Sequence, residues 1–249
     1  MLAIIGGSGL TRLSTLAVAH REVVRTPYGD PSSTLLFGQV AGCPVVFLAR
    51  HGHGHTIPPH RVNYRANLWA LKEKGATAIV AVASVGIIRG GRPGDLLLPN
   101  QLIDYTSGRE TTFYDGGDRQ VMHVDFTHPY TPQLRSRCLD AAANAGIALA
   151  DGGVYGAVNG PRLETAAEID RMERDGATLV GMTGMPEAAL AREAGLPYAA
   201  ICVAVNHAAG RADSAQQISM QGISGVLETA MSEVRRLLDH VAPCIGAAP

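Results

Sequence analysis

The chain has 249 residues, 46 % of them hydrophobic, which is enough for one large α/β domain with a sizeable core. Its 21 Lys and Arg residues balance 22 Asp and Glu residues, so bulk charge argues against nucleic acid or an anionic membrane as a partner. The four cysteines lack metal or redox spacing, and neither a signal peptide nor an apolar run of membrane-spanning length is visible. We therefore expect a reduced, cytoplasmic protein with one domain over residues 1–249.

The first predicted element is a short apolar strand at residues 2–5, followed by a glycine-rich turn that contains Ser8. Turns of this kind bind phosphate groups through their backbone N–H groups. This one lacks the third glycine of a dinucleotide fingerprint and the Gly-Lys-Ser/Thr of a Walker loop. A structural turn and a phosphate-binding turn therefore both remain open.

The next segment, residues 17–45, has the pattern of edge strands and turns. An apolar strand at residues 45–49 then ends at Arg50 and His51, ahead of a predicted helix at residues 63–74. A cation just beyond a buried strand suits an anionic ligand. Histidines at alternate positions after this strand are also compatible with a metal site, although no carboxylate or cysteine lies nearby.

The rest of the chain alternates between strand and helix patterns. Strands are predicted at residues 78–84, 96–99, 154–158, 179–182 and 198–205, and helices at residues 134–145, from 165, at 186–194 and at 226–241. The polar segment 104–130 is long for a connection, and within it residues 106–125 are the candidate for a loop that closes over a site. The alternation predicts a single α/β domain with a mixed, largely parallel central sheet flanked by helices.

Polar side chains recur just past the carboxyl ends of these predicted strands. In an α/β sheet such ends face a common crevice where ligands bind. Hydroxyl, guanidinium and imidazole groups together suit inorganic phosphate, whose oxygens accept several hydrogen bonds at once. The group consists of Ser8, Arg50, His51, Ser84, Thr183 and Asn206.

Five motifs carry a resemblance over nearly the whole chain: residues 6–10, 50–52, 62–71, 160–165 and 181–187. With them the sequence resembles the trimeric purine nucleoside phosphorylases, in particular the branch that cleaves 5′-methylthio nucleosides. The resemblance implies the nucleoside phosphorylase fold, a cytoplasmic homotrimer, and attack of orthophosphate on the anomeric carbon of a purine nucleoside. Inorganic phosphate is then a co-substrate, and no metal or organic cofactor is required.

The resemblance also implies where phosphate binds. Ser8, Arg50, His51, Ser84 and Thr183 occupy the positions that hold phosphate in this family. The family usually has Thr at the position of Ser8, and either hydroxyl is able to donate a hydrogen bond. At Ser84 the resemblance implies a contact made mainly by the backbone amide.

The base-reading positions indicate a 6-oxopurine. Relatives that act on 6-aminopurines carry aspartates at the positions of Asn206 and Ala208, whereas Glu164 and Asn206 match the pair of the 6-oxopurine enzymes, with Leu163 beside them. A carboxylate accepts a hydrogen bond from N1–H of hypoxanthine, but it faces a bare acceptor on adenine. The resemblance thus gives His51, Glu164 and Asn206 catalytic roles; the alternative for Glu164 is an ordinary acidic residue in the first turn of a helix.

The remaining positions concern the sugar. Met182 matches the residue that covers sugar and base, and Met220 occupies the place of a histidine that meets the 5′-hydroxyl in ordinary purine nucleoside phosphorylases. A thioether suits a methylthio group better than a hydroxyl. His123 matches a residue that the methylthio branch donates from a neighbouring subunit. Together these positions predict S-methyl-5′-thioinosine as the substrate.

Other interpretations remain open from the sequence. They are a general inosine or guanosine phosphorylase, a methylthioadenosine phosphorylase, and a nucleoside-binding protein without catalysis. A nicotinamide oxidoreductase is less favoured because no ribose-binding acid follows the next strand. His53, His55, His60 and His207 have no assigned role.

Overall fold

The computed structural model describes residues 1–117 and 120–246. Asp118 and Arg119, which belong to the predicted closing loop, lie outside the described residues. So do residues 247–249 at the end of the predicted domain.

Within these ranges the fold is a single α/β domain built on an eleven-stranded mixed sheet. Six strand pairings are parallel and four are antiparallel, so the prediction of a largely parallel mixed sheet is confirmed. The main path runs β2-β3-β4-β1-β5-β10-β9-β7, while β11 pairs with β5 and β6, and β6 pairs with β8. The strands are β1 (Leu2–Gly6), β2 (Ala17–Glu22), β3 (Leu35–Val40), β4 (Cys43–Ala49), β5 (Ala78–Ile87), β6 (Leu96–Leu98), β7 (Gln101–Asp104), β8 (Leu149–Asp151), β9 (Val154–Ala157), β10 (Leu179–Gly181) and β11 (Tyr198–His207).

The helices cover both faces of this sheet, and most begin where the sequence predicts. Asn63 caps the first helix by accepting a hydrogen bond from the Ala66 amide, and Thr165 forms a reciprocal capping box with Glu168 at the third. Short 3₁₀ turns lie at Pro59–Arg61 and Ala212–Ser214. The helices are α1 (Tyr64–Glu73), α2 (Pro132–Ala145), α3 (Ala166–Arg174), α4 (Gly184–Glu193) and α5 (Met220–Gly246).

Some elements differ from the sequence expectation. Strand β5 extends to Ile87, and the short strands β7 and β8 are not predicted because three or four residues carry too little alternation. Helix α5 begins at Met220 rather than at residue 226, since the Ser219 hydroxyl accepts a hydrogen bond from the Gly222 amide and supports an earlier start.

Hydrophobic side chains fill both faces of the sheet. In β1 the alternate residues Ala3 and Ile5 join the core beneath α1 and α4, while Leu2 and Ile4 join the core beneath α2 and α5. Strands buried on both faces read as continuous apolar runs, which is why β1 and β5 were predictable. This packing leaves the carboxyl ends of β1, β4, β5 and β11 free to hold polar side chains. Among the described residues, no helix has the length and apolarity needed to cross a bilayer.

Candidate active site

The carboxyl ends of the central strands open into one cavity of about 560 Å³. Most of the residues predicted from the sequence line it, although they are distributed from the first turn of the chain to its last helix. This juxtaposition is what the strand-end pattern predicted, while their binding roles remain predictions. The predicted residues in the lining are Ser8, Arg50, His51, Ser84, Leu163, Glu164, Met182, Thr183, Asn206 and Met220.

The glycine turn after β1 brings backbone unusually close to the cavity floor. A Cβ atom on Gly6 would lie 2.0 Å from the Leu10 carbonyl oxygen. One on Gly7 would lie 2.5 Å from the Val82 carbonyl oxygen and 2.9 Å from Nη1 of Arg50. Only glycine permits this approach, and the turn directs Ser8 into the cavity.

Arg50 follows β4 and is almost wholly buried, with 1 % of its side chain exposed. Its Nε and Nη2 donate to the two carboxylate oxygens of Glu187 at 2.7 and 2.8 Å, and Nη1 donates to the Val82 carbonyl at 2.9 Å. Burial by itself disfavours the charged guanidinium, but the charge and hydrogen bonds of Glu187 outweigh it and raise the pKa of Arg50. Arg50 is therefore a permanent cation held in one orientation at the cavity wall.

His51 lies beside Arg50 and is 5 % exposed. Burial, followed by the positive charge of Arg50, lowers the pKa of His51 to about 4, so the ring is neutral at pH 7. Its Nδ1 lies 2.8 Å from the Ile57 carbonyl oxygen, which only accepts, so Nδ1 carries the proton. Nε2 is then an acceptor and suits a ligand hydroxyl rather than an unprotonated phosphate oxygen, which also only accepts.

Two hydroxyl residues complete the predicted phosphate side. Ser84 Oγ is buried in β5 and has no hydrogen-bond partner among the described atoms. It is therefore available to a ligand in addition to the backbone amide that the resemblance emphasised. Thr183 is buried at the start of α4, where its amide donates to the Tyr155 hydroxyl at 3.3 Å.

Glu164 and Asn206 also line the cavity. Burial raises the pKa of Glu164 above its usual value. An irregularity in β11 between Ala204 and Asn206 adds one residue to the strand and turns Asn206 toward the cavity. Nδ2 of Asn206 donates to the His207 carbonyl at 2.6 Å, so Oδ1 and one N–H remain for a ligand.

An apolar wall closes the cavity on the side of α5. Met220, Ile223 and Leu227 recur at helical spacing and all line the cavity. Met220 is 64 % exposed and lies at the rim. On the other side, Met182 packs closely on Gly160, where an added Cβ would lie 2.3 Å from the methionine sulfur.

Ala208 and His123 do not line this cavity. Ala208 is 1 % exposed and packs in a small core with Ile88, Ile169 and Val180. It is therefore buried in that core and is not part of the cavity lining, and its contact with the substrate stays a prediction. His123 lies exposed in the long connection between β7 and α2, and its donation to a neighbouring subunit stays a prediction.

Three features of the site were not found from the sequence. Glu187 belongs to the motif at residues 181–187, but its partner Arg50 lies 137 positions away in the sequence. The sequence offered only a general indication of this pair, namely that a buried arginine needs a counter-ion. His55 Nε2 lies 3.0 Å from Ser8 Oγ and 5.0 Å ring to ring from His51. Arg109 donates to several backbone carbonyls around the cavity, which no local pattern indicates.

The histidine-rich turn does not assemble a metal centre. Within residues 1–117 and 120–246, no group of three His, Cys, Asp or Glu side chains is close enough to share a metal ion. His55 instead contacts Ser8, and His53 is exposed.

Comparison with known proteins agrees with this geometry. The chain is 51 % identical over 240 residues to the probable S-methyl-5′-thioinosine phosphorylase of Pseudomonas syringae pv. tomato, an alignment covering 96 % of this chain and 97 % of that protein. It is 41 % identical over 250 residues to the 6-oxopurine nucleoside phosphorylase of Pyrococcus furiosus, with 98 % and 92 % covered.

A solved structure shows the same fold. Methylthioadenosine phosphorylase from Schistosoma mansoni in complex with adenine superposes with a TM-score of 0.94 at 34 % identity, covering 100 % of this chain and 92 % of that one. Among protein families, the Phosphorylase superfamily matches this chain over residues 1–243. With a match over almost its entire length, the chain belongs to the phosphorylase superfamily.

Proposed function

We propose that the protein catalyses phosphorolysis of a 6-oxopurine nucleoside, with S-methyl-5′-thioinosine as its preferred substrate. A phosphate oxygen forms a bond to the anomeric carbon as the bond from that carbon to N9 of the purine breaks. The electron pair of the broken bond stays on the purine, which takes up the proton that hydrogen phosphate gives up, so the products are hypoxanthine and S-methyl-5-thioribose 1-phosphate. The observation that carries this proposal is the shared cavity of Arg50, Glu164 and Asn206.

The phosphate side supplies donors of fixed geometry. Ser8, Arg50, Ser84 and Thr183 all line the cavity, and Gly7 of the glycine turn lies against Arg50. Neutral His51 offers Nε2 as an acceptor, which suits a protonated phosphate oxygen. These groups hold the nucleophile below the sugar, where its negative charge stabilises the positive charge that develops on the ring.

The base side distinguishes oxygen from nitrogen at position 6 of the purine. The Glu164 carboxylate accepts a hydrogen bond from N1–H. The free N–H of Asn206 donates to the base, while its Oδ1 accepts a hydrogen bond from a protonated ring nitrogen. Negative charge that accumulates on the leaving purine is stabilised by such a donor. Adenine presents no hydrogen at N1, which leaves the half-buried Glu164 without a partner on the base.

The 5′ side favours a methylthio group. Met220, Ile223 and Leu227 present an apolar wall, and among the residues that line the cavity from α5 none offers a hydrogen bond to a 5′-hydroxyl. A thioether carbon and sulfur lose little on leaving water, whereas a hydroxyl would lose its hydrogen bonds there.

The test is a phosphate-dependent assay with S-methyl-5′-thioinosine, inosine and 5′-methylthioadenosine. We expect the highest kcat/KM for methylthioinosine and the lowest for methylthioadenosine. Preference for methylthioadenosine would contradict the assignment of Glu164 and Asn206, and equal use of inosine would contradict the apolar wall. Binding of nucleoside without release of base would favour a binding protein.

We infer further that the active form is a cytoplasmic homotrimer and that no metal or organic cofactor takes part. The exposed rim at Met220 and the separation of His123 from its own cavity support completion of the site by His123 of the partner subunit. The four cysteines are free thiols, which supports a reducing compartment. Full activity after dialysis against a chelator is expected, and loss of activity that added metal restores would refute the metal-free mechanism.

A further inference from the structure

A carboxylate behind the cavity wall fixes the group that would hold phosphate. Glu187 in α4 is completely buried and does not line the cavity, yet both of its oxygens bind the Arg50 guanidinium. We propose that Glu187 is a positioning residue that sets the plane of the Arg50 guanidinium and thereby the affinity for phosphate. This inference rests on the proposed function, in which Arg50 binds the phosphate nucleophile.

Arg50 has more N–H groups than its contacts within the protein use. A guanidinium has five N–H bonds. Glu187 accepts two of them, from Nε and Nη2, and the Val82 carbonyl accepts one from Nη1. The two that remain, one each on Nη1 and Nη2, are the donors available to an anion in the cavity that Arg50 lines.

Glu187 is itself held from a third element of the fold. The Tyr198 hydroxyl in β11 donates to Oε1 of Glu187 at 2.8 Å. Burial, followed by the negative charge of Glu187, raises the pKa of Tyr198 well above its usual value, so this hydroxyl keeps its proton and remains a donor. The end of β4, helix α4 and strand β11 therefore meet in one buried network of three side chains.

Glu187 also has an electrostatic effect, which weakens phosphate binding. Its negative charge offsets that of Arg50, so removing the charge alone would tighten phosphate binding. A glutamine in its place presents N–H toward an N–H of Arg50, however, and the guanidinium has to rotate to avoid two facing donors. Because phosphate needs donors in a fixed fork, we expect the loss of orientation to dominate.

The experiment measures the two substrate dependences separately in Glu187→Gln, using inorganic phosphate and S-methyl-5′-thioinosine. We expect the KM for phosphate to rise at least about tenfold, the order expected for a disturbed charge-assisted contact. The KM for the nucleoside should change less than about twofold, because Glu187 makes its hydrogen bonds to Arg50 and Tyr198 rather than to the proposed base-reading residues. An unchanged or lower phosphate KM, or an equal rise for both substrates, would overturn the proposal.

A matched pair of tyrosine variants tests the same network by a smaller change, the loss of one hydroxyl group in each variant. Tyr198→Phe removes one hydrogen bond to Glu187 and should raise the phosphate KM about threefold. Tyr130→Phe is the control, because the Tyr130 ring stacks on Tyr198 with centroids 5.9 Å apart while its buried hydroxyl has no hydrogen-bond partner among the residues that the structure describes. If Glu187→Gln does not fold, equal phosphate KM values in the two tyrosine variants would overturn the proposal.

A double-mutant cycle separates this inference from the proposed function. If Glu187 acts through Arg50, then Glu187→Gln should add little to the phosphate KM of Arg50→Lys. Protection from thermal unfolding by inorganic phosphate, measured without nucleoside, should fall in the same variants. An effect of Arg50→Lys without one of Glu187→Gln would refute the positioning role alone, whereas no effect of Arg50→Lys would refute the phosphate site itself.

Discussion

Asn206 is the residue at which the proposed specificity is decided. Its amide is pinned by the hydrogen bond from Nδ2 to the His207 carbonyl, so it presents one donor and one acceptor in a fixed orientation. His207 is held in turn, because its Nδ1 lies 2.5 Å from Oδ1 of Asp213. A side chain fixed in this way does not flip readily to suit a different base, as the proposed discrimination between bases requires.

Asn206→Asp should shift the enzyme toward 6-aminopurines. An aspartate replaces the donor with a second acceptor, which suits the exocyclic amino group of adenine. We expect the ratio of kcat/KM for methylthioadenosine to that for methylthioinosine to rise at least about tenfold. The ratio is measured in a phosphorolysis assay with both nucleosides. A ratio that stays at the wild-type value would remove Asn206 from base recognition.

His51 links stability to pH through its burial. The pKa of His51 in the folded protein is about 4, against 6.5 as its ordinary value, so between these pH values the unfolded chain binds the proton more readily. The stabilisation from the neutral ring is present above pH 6.5 and is lost as the pH falls toward 4. His51→Gln should flatten the pH dependence of the free energy of unfolding over this interval by at most about 3 kcal/mol.

Urea unfolding of wild type and His51→Gln at several pH values measures this difference. His53→Gln is the control, since His53 is an exposed residue of the same turn. Parallel pH profiles for wild type and His51→Gln would show that His51 is not buried as a neutral base.

At the scale of elements, Arg109 joins segments that the sheet alone does not fix. It comes from the connection after β7, and its Nη2 donates to the carbonyls of Val158, Asn159 and Met182 at 3.2, 3.0 and 2.9 Å. Its Nη1 donates to the Met185 carbonyl. The first two carbonyls precede the turn that carries Glu164, and the others flank Thr183. One side chain thus sets the spacing between the base and phosphate sides.

Arg109→Lys keeps the charge but removes the fork that reaches these carbonyls at once. We expect kcat to fall about tenfold or more, because small displacements of positioned groups reduce catalysis strongly. Stopped-flow or steady-state assays at saturating substrates measure it. Arg89→Lys is a suitable control because Arg89 is exposed and does not line the cavity. A wild-type kcat for Arg109→Lys would show that the segments hold their positions unaided.

The residues of the candidate site that could be predicted are those that lie in or next to a strand with a recognisable sequence pattern. Ser8, Arg50, Thr183 and Asn206 each follow or end a strand that is visible as an apolar run, Ser84 lies within such a strand, and topology brings these positions together. The supporting contacts were not predictable, because they depend on which distant segments meet. The contact between Arg50 and Glu187 and the reach of Arg109 are of this kind. The position of Met220 in the first turn of α5, likewise, depends on a cap at Ser219.

At the scale of the whole molecule, the proposed trimer has a consequence that a single chain cannot show. If His123 acts in the site of a partner subunit, Glu164→Ala damages the cavity of its own chain while His123→Ala damages a neighbour's. Chains carrying one change each then complement each other. In randomly mixed trimers with cyclic symmetry, about one quarter of the sites have both residues intact.

We therefore expect coexpressed Glu164→Ala and His123→Ala chains to recover about one quarter of wild-type activity, although each variant alone is impaired. Purification through two different affinity tags removes the unmixed trimers, which raises the expected activity to about one third of wild type because each mixed trimer then has one intact site in three. Sedimentation gives the mass of these assemblies. The background rate is measured with a chain that carries both changes and is expressed alone. Activity no higher than that of the separate variants would place His123 outside the site of the partner subunit, because independent cavities gain nothing from mixing.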